Sequence, residues 1–235
     1  MHKSKLYRQQ VEALGGDMQR RFGVDEAIEA LKKLPGVKFD QTAEVSIKLG
    51  IDPRKSDQTV RGAVALPRGT GKTVRVAVVA EGSAAEEAKA AGADIVGFDD
   101  LVQTIKEGKL DFDILISTPD AMRMVRPLGR QLGPRGLMPN PKTGTVTDQV
   151  GAAVREAKAG RAEFRADRGA CLHIPFGKLS FEADALKENF EAIVDAVQKA
   201  KPASSKGVYI ISCTISGTMT PGVKINVKEL ARAAK

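Results

Sequence analysis

Residues 73–91, TVRVAVVAEGSAAEEAKAA, decide how the middle of this chain folds. The first part is a short apolar run bounded by glycines, which is typical of a buried strand. The second part, from Ala84 to Ala91, is rich in alanine and glutamate and predicts a helix. The apolar positions of the run are Val74, Val76, Val78 and Val79. The stretch therefore predicts a strand followed by a helix.

The same alternation occurs twice more along the chain. Residues 93–98 and 112–117 are apolar runs, and residues 99–106 and 120–128 that follow them have helical patterns. Strands that alternate with helices of this length predict a parallel, doubly wound sheet. We therefore expect an α/β domain of Rossmann-like type over residues 70–160.

The flanking segments have a different pattern, typical of an α+β domain. A helix is predicted over residues 26–34, with Asp25 as its N-cap, and residues 42–49 alternate apolar and polar side chains as in a half-buried strand. Further strands are predicted at 163–165, 171–175 and 208–215, with an amphipathic helix at 185–200. We expect one discontinuous outer domain of split β-α-β type, residues 1–69 and 161–235, interrupted by the insert 70–160.

The net charge of the chain is concentrated in this predicted outer domain. The sequence has 37 Lys and Arg against 29 Asp and Glu, a net charge of +8. Residues 1–69 and 161–235 each carry a net +4, whereas residues 70–160 are neutral. A polyanion should therefore bind the outer domain. Within the insert, residues 121–160 hold 7 basic against 2 acidic groups and could form an additional basic surface.

The composition argues against several classes of protein. The chain is 42% hydrophobic and 28% charged, which is typical of globular proteins, and it has no membrane-length apolar run and no secretory leader at its start. We therefore expect a cytoplasmic protein. Two cysteines and two histidines, spaced far apart, predict neither a disulfide framework nor a metal site. Because aromatic residues make up only 4%, a nucleic-acid partner should be folded and recognised by shape and phosphates.

Two patterns suggest a catalytic site but fit it poorly. The tripeptide Gly71-Lys72-Thr73 resembles the end of a phosphate-binding loop, but Leu66 stands where that motif needs glycine, and a strand follows instead of a helix. A glycine hinge is the better interpretation. The acids Asp111, Asp113 and Asp120 bracket a strand without a nucleophile or base nearby, so a structural role is favoured.

Residues 127–144, PLGRQLGPRGLMPNPKTG, form a segment rich in glycine and proline. Eight of its eighteen residues are Gly or Pro, so we expect no regular structure here. Arg130, Arg135 and Lys142 would suit phosphates or a carboxylate-bearing partner. A structural elbow between elements explains the composition equally well.

Two segments of the outer domain combine hydroxyl groups with one large apolar side chain each. Residues 38–44 lead into a strand, and residues 212–222 end another strand in a loop. Hydroxyls can contact ribose and phosphate oxygens, and Phe39 or Met219 can lie against a sugar or base. The alternative is a hydroxyl-rich strand edge with Phe39 in the core.

The sequence resembles the bacterial ribosomal protein L1 family of the large-subunit stalk. The resemblance covers nearly the whole chain and is carried by specific strings: KFDQTAE (38–44), LGIDPRKSDQ (49–58), VRG (60–62), AGAD (91–94), LGPRGLMPNPKTG (132–144) and Thr218-Met219. It implies a non-enzymatic protein without cofactor, with a discontinuous first domain and an inserted second one. It also implies binding to ribosomal RNA in a mobile stalk, help in releasing deacylated transfer RNA from the exit site, and repression of its own operon through its messenger RNA. We expect a monomer when it is free of the ribosome.

The resemblance also assigns residues. The RNA contacts of the family fall on Lys38, Phe39, Thr42, Ser212, Thr218 and Met219. Arg165, Arg168 and His173 are weaker candidates for phosphate contacts. Thr220 is assigned to the same RNA site, but it stands where the family pattern has glycine, which implies a slightly different RNA path or reduced affinity. A hinge between the domains is expected at Gly69, Thr70, Gly160 and Arg161.

Two other functions remain open at this point. One is an α/β enzyme acting on a phosphorylated ligand, with Asp111 or Asp113 in its site. The other is a purely regulatory RNA-binding protein that never joins a ribosome.

Overall fold

The structure is a computed structural model that describes residues 4–227. Two compact units are present, Met1–Gly71 with Ala162–Lys235 (unit 1) and Lys72–Arg161 (unit 2). The helices are α1 Lys5–Ala13, α2 Val24–Lys33, α3 Ser83–Ala90, α4 Asp99–Lys106, α5 Met122–Val125, α6 Gly129–Leu132, α7 Val150–Gly160 and α8 Ala183–Lys199. The strands are β1 Arg21–Phe22, β2 Thr42–Leu49, β3 Arg61–Ala65, β4 Val76–Val79, β5 Ile95–Gly97, β6 Ile114–Ser117, β7 Arg161–Arg165, β8 Cys171–Lys178, β9 Ile210–Gly217 and β10 Val223–Ile225.

Unit 1 is built on a five-stranded sheet in the order β1-β10-β9-β2-β8. β2 pairs antiparallel with both β8 and β9, so both of its edges are hydrogen-bonded within the sheet. The predicted strand 42–49 is confirmed to the residue, because its alternate side chains Ala43, Val45, Ile47 and Leu49 are buried. A separate two-stranded sheet is formed by β3 and β7.

One face of the five-stranded sheet is covered by helices, and the other is open. The apolar side chains of α2 and α8 pack with the buried residues of β2, β8 and β9 in a single cluster. Phe176 of β8 and Phe190 of α8 meet edge to face, with ring centroids 6.1 Å apart. Helical coverage of one face explains the alternating pattern of β2, since the opposite face contacts solvent.

Unit 2 contains a three-stranded parallel sheet in the order β5-β4-β6. All four residues of β4 are buried, because helices cover both faces. Ala77 and Val79 pack with α4 and α5, whereas Val76 and Val78 pack with α3 and α7. The predicted mixed α/β architecture, with parallel and antiparallel sheets, is confirmed.

Two local predictions were wrong. The helix α2 begins at Val24 after Gly23, so Asp25 lies in the first turn and is not the N-cap. The stretch 127–132, expected to be irregular, is helical: a 3-10 turn at Arg126–Leu128 leads directly into α6. Leu128 and Leu132 continue the apolar spacing of the preceding helix and are buried, and this burial outweighs the unfavourable glycine and proline composition.

Candidate nucleic-acid interface

The segments before β2 and after β9 come together at one end of the sheet of unit 1. Ala43 is opposite Gly217 in the antiparallel register, so the chain enters β2 where it leaves β9. The backbone N–H of Thr42 donates to Oγ1 of Thr218 at 3.2 Å. We call residues 38–42 and 217–220 the loop pair. It brings together six of the predicted contact residues: Lys38, Phe39, Thr42, Thr218, Met219 and Thr220.

The loop pair exposes two large apolar side chains. Phe39 is 53% and Met219 is 55% exposed, although side chains of this kind are normally buried. The alternative that Phe39 belongs to the core is therefore wrong. Lys38 and Thr218 are exposed beside them in sequence. The loop pair thus offers apolar surface, hydroxyls and a cation together, the combination suited to riboses, bases and phosphates.

Two buried glutamines hold the backbone of Met219 from both sides. Oε1 of Gln41 accepts a hydrogen bond from the Met219 N–H at 2.8 Å. Nε2 of Gln10, in α1, donates to the Met219 carbonyl at 3.2 Å and to the Pro35 carbonyl at 2.8 Å. Because the backbone is fixed, the Met219 side chain is presented to solvent without an entropy cost for ordering the loop on binding. Sequence reasoning missed both glutamines, since nothing in the sequence marks either of them as buried.

The Thr42 side of the loop pair is held by β8 and by the turn after it. Nζ of Lys178 donates to Oγ1 of Thr42 at 3.0 Å and to the Asp40 carbonyl at 3.4 Å. The Asp40 carboxylate accepts from the N–H and the hydroxyl of Ser180, at 3.2 and 2.8 Å. Lys178 therefore places a second cation at the loop pair, which sequence reasoning also missed because Lys178 is distant in sequence from both loops.

Thr220 closes the turn that follows β9. Its Oγ1 accepts a hydrogen bond from the Gly217 N–H at 2.7 Å. Among residues 4–227, Ala170 is the one non-glycine residue with positive φ, so Thr220 has an ordinary backbone conformation. The threonine therefore introduces no backbone strain at the position where the family pattern has glycine.

Replacing Thr220 by glycine should open this turn. We expect the loss of the Oγ1 hydrogen bond to cost about 1 kcal/mol locally, which raises the exchange rate of the Gly217 amide hydrogen about fivefold. Thr220→Ser keeps the hydroxyl and should leave that rate within about twofold of the wild type, since local opening sets the protection. Native-state hydrogen exchange of Gly217 measures both variants. Equal rates in Thr220→Gly and Thr220→Ser would contradict the role of the hydroxyl.

The other four predicted contact residues, Ser212, Arg168, Arg165 and His173, lie elsewhere in unit 1. Ser212 is opposite Lys48, six residues along β9 from Thr218, or roughly 20 Å at the rise of an extended strand. Arg168 lies in the turn before β8, beside Gly169, whose carbonyl accepts from Nζ of Lys48. Arg165 ends β7, in the two-stranded sheet with β3. The structure therefore does not gather all ten residues into one cluster, and the RNA contacts of all of them stay predictions.

The open face of the sheet connects the loop pair with Ser212. Oγ of Ser46 and Nδ1 of His173 are 3.1 Å apart on this face. Nε2 of His173 lies 3.8 Å from the Asp167 carboxylate. Hydrogen bonds from the N–H groups of Cys171 and Gly169 lower the pKa of Asp167, so this carboxylate stays charged. The face carries both signs of charge, and it is the Lys and His side chains on it that can approach phosphate.

Residues 30–221 match the sequence profile of the Ribosomal protein L1p/L10e family. The chain belongs to this family. It is 57% identical over 210 residues to the large ribosomal subunit protein uL1 of Chromobacterium violaceum, covering 89% of this chain and 91% of that protein. The protein of the same name from Cellvibrio japonicus is 58% identical over 215 residues, 92% and 93% of the two chains. That of Acinetobacter baylyi is 54% identical over 223 residues, 95% and 96% of the two.

Membership in the L1 family confirms the resemblance and the prediction that the chain is no enzyme, because its relatives are ribosomal proteins. In the structure, two residues of the patterns that suggested a catalytic site, Asp113 and Lys72, form an ion pair with each other. Oδ1 of Asp113 accepts from Nζ of Lys72 at 2.8 Å, and Oδ2 accepts from the Arg75 N–H at 3.1 Å. The Lys72 hydrogen bond is the main cause that lowers the pKa of Asp113. Within residues 4–227 no group of three or more His, Cys, Asp or Glu could hold a metal ion.

No helix in the described part of the chain has the length and apolar character needed to cross a bilayer.

Proposed function

We propose that this member of the L1 family is a structural constituent of the large ribosomal subunit, in the cytoplasm, and that its loop pair binds large-subunit ribosomal RNA at a mobile stalk. The observation that carries the proposal is the exposure of Phe39 and Met219 on a backbone fixed by buried glutamines. The names of its relatives support the assignment to the large subunit. The net charge of +4 at each end of the chain supports a polyanionic partner.

In this proposal residues 1–69 and 161–235 form an RNA-binding domain of split β-α-β type, and residues 70–160 are a Rossmann-like insert. Lys38 and Lys178 contact phosphates, and Thr42 and Thr218 contact riboses or phosphate oxygens. Phe39 and Met219 pack against a base or sugar. The open face extends the contact towards Ser212, Arg168 and His173, and Arg165, at the end of β7, adds a further phosphate contact. Thr220 belongs to the same site, and its hydroxyl also holds the turn after β9 through the Gly217 N–H.

The proposal includes a role in releasing deacylated transfer RNA from the exit site. It requires the two domains to move, with hinges at Gly69, Thr70, Gly160 and Arg161. The backbone conformation of the two glycines supports these positions. Gly69 and Gly160 have φ values of +69° and +102°, in the region that side chains disfavour, so a glycine is needed at each. Off the ribosome the protein is proposed to be a monomer.

The proposal also includes repression of its own operon. The loop pair is a single preformed surface, so messenger RNA that folds like the ribosomal site would compete for it. A competition assay with both RNAs tests this directly. One RNA should displace the other completely. Simultaneous binding of both would contradict a shared site.

The Lys38→Gln variant tests the phosphate contact. Each lost phosphate contact should lower the slope of log K against log salt by roughly 0.7–0.9 for the stalk RNA. Lys33→Gln is the matched control: it removes the same charge from α2, which covers the opposite face of the sheet. Filter binding at several salt concentrations gives both slopes. An unchanged slope in Lys38→Gln would remove this residue from the phosphate contacts.

The function as a whole is tested by footprinting the full chain on total large-subunit RNA and by cosedimentation with large subunits. We expect one protected helix and association with the subunit. Protection without cosedimentation would instead support the purely regulatory RNA-binding protein, and no protection would contradict the proposal.

A further inference from the structure

The helical segment at residues 121–132 of unit 2 has one sharply defined buried face. It consists of α5, the 3-10 turn Arg126–Leu128 and α6, which follow one another without a break. Its buried apolar residues recur at helical spacing and pack against the parallel sheet; they are Ala121, Val125, Leu128 and Leu132. This packing fixes which side of the segment contacts solvent.

Three arginines lie on the opposite side of this segment. Arg123, Arg126 and Arg130 are all exposed and follow one another at i, i+3 and i+7. At about 100° per residue the three lie within roughly 60° of each other and about 180° from the centre of the buried face. We call these three residues the arginine ridge.

The arginine ridge has no acidic partner in the described part of the chain. Five other cations of unit 2 do form ion pairs: Lys72 and Arg75 with Asp113, Lys109 with Glu107, Lys158 with Asp94, and Arg161 with Glu156. The ridge is also in the half of the insert where 7 basic residues face 2 acidic ones. Its positive charge is therefore not neutralised by the protein, and it is available to an external anion.

The chemistry of the ridge favours one class of partner. A guanidinium presents planar, paired donors that match phosphate oxygens. Among the neighbouring side chains of the segment, Met124 is the one large apolar residue that is exposed, so the ridge lacks the apolar anchors of a typical protein–protein hot spot. Three aligned arginines suit a phosphate backbone, and the amide next to them in sequence, that of Gln131, already donates to the Lys106 carbonyl.

We propose that the arginine ridge binds the phosphate backbone of a folded RNA and forms a second RNA surface, separate from the loop pair. The ridge belongs to unit 2 and the loop pair to unit 1, so the second surface does not require the first to be occupied. Binding at the ridge depends on salt and not on sequence, because it uses phosphates alone.

The test uses the full chain and an RNA duplex of about 20 base pairs with an arbitrary sequence, labelled at one end. The ridge variant is Arg123→Gln/Arg130→Gln. The matched control is Lys89→Gln/Arg155→Gln, which removes the same charge from α3 and α7 on the other side of the sheet. We expect the salt slope of the ridge variant to fall by about 1.5 and its affinity at 0.1 M salt to fall about tenfold, with much smaller changes in the control.

Three results would overturn the proposal. The first is equal slopes for the ridge and control variants. The second is that the protein binds poly-glutamate more tightly than the duplex and that the ridge variant loses this binding. That result would identify an acidic protein segment as the partner. The third is a loss of affinity for the stalk RNA in the ridge variant as large as its loss for the duplex. That result would make the ridge part of the first site. The stalk RNA measurement separates the two proposals, since Phe39→Ala/Met219→Ala should weaken stalk RNA binding and leave the duplex slope unchanged.

Discussion

Replacing Asn189 by leucine should destabilise unit 1 by about 4 kcal/mol, because three backbone groups lose a partner and one of them, the Phe176 carbonyl, is buried. Asn189 lies in α8 and is fully buried. Its Nδ2 donates to the carbonyls of Gly69 and Phe176, at 2.9 and 2.8 Å, and its Oδ1 accepts from the Arg68 N–H at 2.9 Å. Leucine has a similar volume but none of these hydrogen-bonding groups.

The measurement is thermal unfolding of the full chain, followed by circular dichroism. A loss of this size should lower the midpoint for unit 1 by about 10 °C, given 2–4 °C per kcal/mol for units of this length. Glu191→Gln, an exposed change on the same helix, should shift the midpoint by less than about 2 °C. A midpoint in Asn189→Leu within that range would show that solvent or a backbone shift satisfies the three groups instead.

The double variant Phe39→Ala/Met219→Ala should lose about 3 kcal/mol of binding to the stalk RNA, or roughly a hundredfold in affinity. Both side chains are more than half exposed in the free protein, so their truncation removes contacts with RNA and leaves the core intact. Neither carries charge. The slope of log K against log salt should therefore stay unchanged, in contrast to Lys38→Gln.

A matched control is available on the same unit. Val208 and Ile211 are also large, apolar and exposed, but Val208 precedes β9 and Ile211 is its second residue, so both lie at the end of the strand away from the loop pair. Val208→Ala/Ile211→Ala removes comparable apolar surface and should change the affinity less than about threefold, the usual range for exposed changes. Equal losses in the two double variants would show that general hydrophobicity, and not the loop pair, determines binding.

The elements that sequence patterns predicted well are those whose burial repeats along the chain. Residues 42–49 alternate because one side of β2 faces the core, and the runs of β4 and β6 are continuous because helices cover both sides of that sheet. The irregular structure predicted for residues 127–132 was wrong. Glycine and proline indicate only a local preference, whereas Leu128 and Leu132, about one helical turn apart, stabilise the helical segment by their burial.

The candidate site was predictable in its residues but not in its geometry. Similarity to a family names Ser212 together with Met219, yet the two lie near opposite ends of β9. The partners that fix the loop pair are Gln10, Gln41 and Lys178, and each is brought there by tertiary packing over a long sequence separation. No local pattern could have revealed them.

The hydrogen bond from Gln10 to Met219 spans 209 positions of the chain. The first helix and the loop after β9 are therefore hydrogen-bonded to each other. β2 likewise needs β9, which is late in the chain, as its neighbour in the sheet. Since synthesis runs from the N-terminus, the loop pair cannot assemble on a nascent chain until residues near Thr220 have emerged. If the loop pair binds RNA as proposed, a growing polypeptide has no such site until this late part of the chain has folded.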